Sequence, residues 1–291
     1  MRALVFGSTG QVARELRRAA AELGIEASFL DRAAADLANP EACAAAVRAA
    51  AADVVVNAAA YTAVDQAEDE PELATVVNGT APGVIAAACD EKGVPFLQVS
   101  TDYVFDGTPG RPWRETDPTG PLGAYGRSKL AGEVAITAAC PDHVILRTAW
   151  VFSAHGTNFV KTMLKVGRTR SEMRVVGDQH GCPSAAADIA GALWTIAEDW
   201  GRGRGRAGIF HYAGTPATTW AGFAEAIFAR TGWPEKPKVT AIATADWPTK
   251  ALRPANSVLD CSAIEAAYGI AQPDWQLALD AMLEELGEAG E

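Results

Sequence analysis

The sequence predicts an α/β fold, a Rossmann-like doubly wound parallel sheet with a smaller α+β substrate-binding lobe, and three observations carry that expectation. The chain opens on an apolar run, Arg2-Ala3-Leu4-Val5-Phe6, which leads directly into Gly7-Ser8-Thr9-Gly10-Gln11-Val12-Ala13 and an amphipathic segment over 15–23. Strand, glycine turn and helix in that order open a dinucleotide-binding unit: the turn brings amides close to a pyrophosphate, and Ala13 leaves room where helix meets strand. Apolar runs of strand length then recur over 27–30, 53–60, 94–100 and 143–150, with helical segments over 41–51, around Asn78 and around 125–129 between them. Beyond residue 150 the alternation loosens into a helix over 158–166, a strand over 174–178, a helix over 187–198, a strand over 208–212 and helices over 218–231 and 277–286. We therefore expect a cofactor domain over 1–150 with parts of 174–215, and a substrate-binding lobe made mainly of 151–173 and 216–291.

Composition narrows the function. With 291 residues, 49% of them hydrophobic, the chain can bury a substantial core. A net charge of −11 argues against nucleic-acid binding, which needs a basic surface to displace counterions, but leaves a local phosphate pocket open. The five cysteines, Cys43, Cys89, Cys140, Cys182 and Cys261, are scattered and odd in number, a pattern of reduced thiols rather than a disulfide framework or zinc site. No run of eighteen uncharged apolar residues occurs, and the first residues enter a strand without a signal region, so the expected location is cytoplasmic, with no membrane partner.

The candidate chemistry centres on Tyr125-Gly126-Arg127-Ser128-Lys129. Residues four apart share a helix face, so a phenol and an ammonium can point into one cleft, and a neighbouring positive charge favours the ionised phenol. The spacing alone also fits an ordinary surface pair. Its setting gives it meaning: Thr101 and Asp102 close the strand over 94–100, at the carboxyl end where α/β proteins place groups that touch ligand. Cofactor candidates are Gly7, Thr9, Gly10, Gln11 and Val12 in the turn, Ala59, Ala60 and Tyr61 after the third strand, Val99 in the fourth, and Tyr125 and Lys129. Asp31, about twenty residues past the turn, suits a ribose hydroxyl, Arg32 suits a 2′-phosphate, and Asp36 and Leu37 follow as adenine candidates, so NADPH and NADH both fit. Each has a plainer use: Asp31 as a loop cap, Asp36 beside a helix start, Trp150 as core packing. The loop over 108–123, rich in proline and glycine, can cover the cleft or cross the surface.

Taken together, these pieces resemble the extended short-chain dehydrogenase/reductases and, within them, the dTDP-4-dehydrorhamnose reductase family. The similarity runs through 6–12, 56–65, 100–105, 125–133, 147–150 and 253–257. It implies reduction of the C4 ketone of a thymidine-diphospho sugar, with Tyr125 as proton donor, Lys129 lowering its pKa and binding the nicotinamide ribose, and Thr101 with Asp102 orienting the sugar. Trp150, Arg253 and Asn256 would grip the nucleotide. Some family members form a magnesium-linked dimer through an acidic residue where Glu15 stands, so the resemblance admits Mg2+ and a homodimer. Two other readings stay open. One is another nucleotide-sugar reductase or epimerase, although Tyr103 stands where a dehydratase is expected to carry a carboxylate. The other is a non-catalytic regulatory subunit of the methionine adenosyltransferase type.

Overall fold

A computed structural model describes residues 1–108 and 110–290; Pro109, inside the 108–123 loop, lies outside the described residues. β1 (Arg2–Phe6) is buried beyond its first residue, as a strand covered on both faces must be. Gly7 follows with φ of 102°, a backbone conformation that only glycine adopts without strain. Gly10 then serves as extended N-cap, so α1 (Gln11–Leu23) begins four residues earlier than its apolar period suggests. β2 (Glu26–Leu30), α2 (Pro40–Ala49) and β3 (Val54–Asn57) come next. Asn39 caps α2 by accepting from the Ala42 amide, and Pro40 fills the first turn, where its missing N–H costs nothing.

α3 (Pro71–Thr75) and α4 (Ala81–Lys92) are joined by a π-helical turn over Val76–Thr80. Pro82 has no N–H to offer the Asn78 carbonyl four residues back, and the helix widens just ahead of it. By length and composition Pro71–Lys92 is the one helical run among the described residues that could cross a membrane, and half of its most apolar window is buried inside the protein. β4 (Phe96–Thr101), α5 (Ala124–Ala139) and β5 (His143–Thr148) complete the first half. Then follow β6 (Val151–Phe152), α6 (Phe159–Gly167), β7 (Glu172–Val176), β8 (His180–Gly181), β9 (Ser184–Ala185), α7 (Ala186–Gly201), β10 (Gly208–His211), β11 (Thr218–Thr219), α8 (Trp220–Arg230), β12 (Lys238–Ile242), α9 (Ser262–Tyr268) and α10 (Trp275–Glu285).

Six strands form one parallel sheet in the order β10-β5-β4-β3-β1-β2. The chain starts in β1, steps outward to β2, then returns to the other side at β3. That reversal opens a crevice beyond the carboxyl ends of β1 and β3, where such sheets bind ligands. Val5, Val56, Leu97 and Leu146 pack on one face with Leu16 of α1 and Trp194 of α7; Phe6, Val55, Phe96 and Ile145 pack on the other with Ile85 of α4 and Ile136 of α5. Within 174–215, α7 packs on this sheet and the strand predicted over 208–212 joins it as β10, whereas the one predicted over 174–178 pairs as β7 with β12 in a separate two-stranded sheet. β6 pairs with β9 and β8 with β11 in two further small sheets, and α6, α8 and α10 close a third core around Phe152, Val160, Phe223, Trp275 and Leu279. All five cysteines are free and buried. Burial pushes the thiols of Cys43 and Cys140 up to about 11, those of Cys182 and Cys261 to about 12, and that of Cys89 higher still.

α5 crosses the π-helical turn at close range. A Cβ on Gly132 would come within 2.1 Å of the Asn78 carbonyl oxygen, so only hydrogen fits there. Gly132→Ala should therefore cost about 2 kcal/mol through overpacking. Urea denaturation checks this; wild-type stability would show that α5 can shift without loss.

Candidate active site

A cavity of about 890 Å³ fills the crevice, and its lining contains every cofactor candidate read from the sequence. Gly7 to Val12 form one rim. The N-terminus of α1 has no side-chain cap there, leaving its amides free for an anion. A Cβ on Gly7 would sit 3.3 Å from Ala59, so the missing side chain keeps the main chain of both strand ends open to a ligand. Asp31, Arg32, Asp36 and Leu37 line the far end. Asp31 Oδ1 accepts from the Ala34 amide at 2.9 Å, the cap foreseen as its plainer use, while Arg32, 80% exposed along its side chain, pairs with Asp36 at 3.0 Å. The amide of Ala38 and then Arg32 hold the Asp36 carboxyl below its usual range.

Ala59, Ala60 and Tyr61 form the floor beyond β3. Asn78, turned inward by the π-helical turn, clamps Tyr61: its Oδ1 accepts from the Tyr61 amide at 2.8 Å and its Nδ2 donates to the Tyr61 carbonyl at 2.9 Å. The same Nδ2 donates to the Ser128 hydroxyl at 3.0 Å, tying the floor to α5.

At the inner end Thr101, Asp102, Tyr125, Lys129 and Val99 meet. Thr101 ends β4; its hydroxyl donates to Asp102 Oδ1 at 2.9 Å and is hydrogen-bonded to the Tyr125 phenol. Lys129 Nζ donates to the Val99 carbonyl at 2.8 Å. Burial dominates the ionisation of all three titratable groups. It brings Lys129 down to about 8 against the pull of Glu133, and it takes Asp102 up to about 6 despite hydrogen bonds from Ser257 and Thr101. It also raises the Tyr125 phenol; the bond to Thr101 works the other way and the Asp102 charge adds to the rise. Burial thus outweighs the expected lowering of Tyr125 by Lys129 and leaves a protonated phenol, while the ammonium, bonded once to Val99, keeps two further N–H groups for a ligand. Two buried atoms in this wall, Asp102 Oδ2 and Thr148 Oγ1, make no hydrogen bond within the protein.

Trp150 also lines the cavity, just past the end of β5, in a left-handed conformation with φ of 49°. Its ring stacks on Trp220 with centroids 3.5 Å apart and Gly181 lies against it, so Trp150 meets the cavity as part of an aromatic pair and stays half-buried. Arg253 and Asn256 lie outside the lining. Arg253 pairs with Asp65 at 2.8 Å, and Asn256 donates to the Arg111 carbonyl at 2.9 Å. Glu15 is 4% exposed and engaged by Arg18 at 2.7 Å and His155 at 3.4 Å. A lone carboxylate with two basic partners does not suit a hard cation that needs several oxygen ligands, and among the described residues no group of three His, Cys, Asp or Glu could hold a metal. Mg2+ is thus not supported.

The sequence reading missed Thr148, Gly156 and Thr157 in the lining. Thr148 was within reach, since it ends β5 in register with Thr101 of β4, and the strand-end rule that marks one marks the other. The 153–157 loop gave no signal of its own. It is held over α1 by Gln11, whose Oε1 accepts from Ser153 at 3.0 Å and from Asn158 at 2.8 Å.

A doubly wound sheet with a glycine turn at its reversal and a Tyr/Lys pair at the inner end of the crevice defines a dinucleotide-binding fold of the short-chain dehydrogenase/reductase class. Residues 1–288 match the RmlD substrate binding domain model. The chain is 45% identical to a dTDP-4-dehydrorhamnose reductase of Burkholderia thailandensis, over 98% of this chain and 99% of that one, and 41% identical to one of Escherichia coli over 98% of each. A crystal structure of a dTDP-4-dehydrorhamnose reductase from Clostridium acetobutylicum superposes with a TM-score of 0.92 at 35% identity, covering 99% of this chain and 100% of the other. One from Bacillus anthracis in complex with NADP gives 0.90 at 30% identity, covering 98% and 99%. The chain belongs to the dTDP-4-dehydrorhamnose reductase family.

Asp102 holds its proton more tightly in the folded chain than in the unfolded one, so its contribution to stability is complete below about pH 4 and is lost as pH rises through about 6. Asp102→Asn should remove that dependence, gaining up to about 3 kcal/mol over wild type between pH 4 and 8. Urea midpoints across this range test it, and parallel profiles for the two proteins would refute it.

Proposed function

We propose that this chain catalyses NADPH-dependent reduction of the C4 ketone of dTDP-4-dehydro-L-rhamnose to dTDP-L-rhamnose, the last step of dTDP-rhamnose biosynthesis, as a cytoplasmic enzyme. The observation that carries the reading is the meeting of Tyr125, Thr101 and Lys129 at the inner end of a dinucleotide-sized cavity, in a chain of this reductase family. The fit to a nicotinamide dinucleotide rests on the open Gly7–Ala59 approach, the uncapped N-terminus of α1 and the orphaned Thr148 and Asp102 atoms. Gly7 to Val12 would hold its pyrophosphate, Arg32 and Asp36 would face its adenosine end, and Lys129 would hold its nicotinamide ribose. When bound, the cofactor supplies the hydride for the ketone carbon.

Tyr125 keeps its proton at neutral pH, as a general acid must before the carbonyl oxygen gathers charge. Thr101 stands beside it; turning its hydroxyl from Asp102 to the substrate would give the developing oxyanion a second donor and favour the transition state over the ground state. Lys129 stabilises the phenolate left after proton transfer. With Asp31 turned to the Ala34 amide and Arg32 exposed beside it, the adenosine end presents a cation to a 2′-phosphate, which favours NADPH over NADH.

Tyr125→Phe should lower kcat at least about 10²-fold with little change in NADPH affinity, followed by loss of NADPH absorbance with the sugar product identified by NMR. Full activity would remove the proton-donor role. Arg32→Ala should raise KM for NADPH more than for NADH; an equal rise would show that Arg32 does not read the phosphate.

A further inference from the structure

One helical turn past the site, on the same face of α5, stands a fully buried charge. Tyr125, Lys129 and Glu133 follow at four-residue spacing, and Glu133 is 2% exposed. β5 sends Arg147 against it, with Nη2 donating to Oε2 at 2.6 Å and Nε to Oε1 at 3.0 Å. β4 sends Ser100, whose hydroxyl donates to Oε1 at 2.5 Å. Arg147 is equally buried, its guanidinium 5.0 Å from the centre of the Phe105 ring and its Nη1 3.4 Å from His211 Nε2. His211 Nδ1 lies 3.1 Å from the Trp113 carbonyl, which places the ring proton on Nδ1, and burial holds this histidine down to about 3. It is a neutral acceptor and does not compete for Glu133.

Such a pair is a poor device for stability, because taking two charges out of water costs several kcal/mol per ion and an apolar pair of similar volume often does as well. Its position suggests another use. We propose that Glu133 is a positioning residue for the reductase site: clamped by Arg147 and Ser100, its carboxylate keeps Lys129 an ammonium aimed at the Val99 carbonyl and the cleft. The inference rests on the reductase reading. Tyr125 and Glu133 share the helix of Lys129, Asp102 and Tyr103 line the cavity with it, and Arg147 stands behind Glu133 with His211 beyond. Burial pushes Lys129 toward the neutral amine, and Glu133 is the neighbour that opposes it. Asp102 is held toward its neutral form, and Arg147 is spent on Glu133.

The test is the pH dependence of kcat/KM for NADPH oxidation, together with the pH dependence of NADPH binding read by nicotinamide fluorescence. Glu133→Gln should move the alkaline limb of both down by about one pH unit, the size of effect expected from losing one nearby opposite charge. Glu133→Leu with Arg147→Met removes both charges, leaves no ion unpaired, and should move the limb in the same direction but by less, because the unpaired Arg147 cation that adds to the single variant's shift is gone, in a chain that still melts cooperatively. Glu133→Asp keeps the carboxylate and should return the limb toward wild type. A folded double variant whose limb overlays wild type overturns the proposal, as does failure of both charge-removing variants to fold, which would make the pair structural. Wild type that never oxidises NADPH with the sugar would instead overturn the reductase reading.

Discussion

The hydrogen bond from the Lys129 ammonium to the Val99 carbonyl, 2.8 Å long, is the constraint on which the inner end of the cavity depends. It ties α5 to β4 where the sheet ends, so that Tyr125, one turn away, is presented to Thr101 instead of to solvent. The tie is possible because α5 lies so close to the π-helical turn that no side chain fits at Gly132, and because Asn78 spans the remaining gap to both Tyr61 and Ser128. Backbone shape and side-chain chemistry therefore act together. A helix a few ångströms farther out would still carry the tyrosine and lysine, but not in this wall.

Burial then sets the protonation of what has been gathered. The phenol stays neutral, the Asp102 carboxyl is drawn toward neutrality and the Lys129 amine is brought close to titration, all for the same reason: charge is poorly solvated in this wall. In such surroundings a fixed dipole or a hydrogen-bond donor acts more strongly on a charge that appears during reaction than it would in water. The orphaned oxygens of Asp102 and Thr148 belong to the same logic, being polar atoms left for a ligand inside an otherwise satisfied wall.

Much of this was legible before any coordinates. The opening strand and glycine turn, the acidic residue after β2, the strand-end threonine and the helical Tyr/Lys spacing depend on local chemistry and short-range period, and all of them beyond the opening strand itself line one cavity. What could not be read depends on partners distant in sequence. Trp150 lines the cavity already stacked on Trp220, seventy residues later, a pairing its own segment does not show. Arg253 pairs with Asp65 while its buried Nη1 stays without a partner among the described residues, and Glu15 pairs with His155, contacts that no spacing announces, unlike the Glu15–Arg18 pair three residues apart on α1. The ionisation of Tyr125 was misjudged for a related reason: adjacency on a helix suggested a charge effect, whereas burial, a property of the whole fold, dominates. Boundaries slipped where a cap decided them, as at Gly10 and Asn158.

The thiols carry a practical corollary. Only the thiolate is a nucleophile, and every cysteine in the folded chain is shielded and held in the protonated form by its apolar surroundings. Alkylating reagents and mild oxidants should pass the native protein by and mark only molecules that have opened, which makes the cysteines built-in reporters of unfolding.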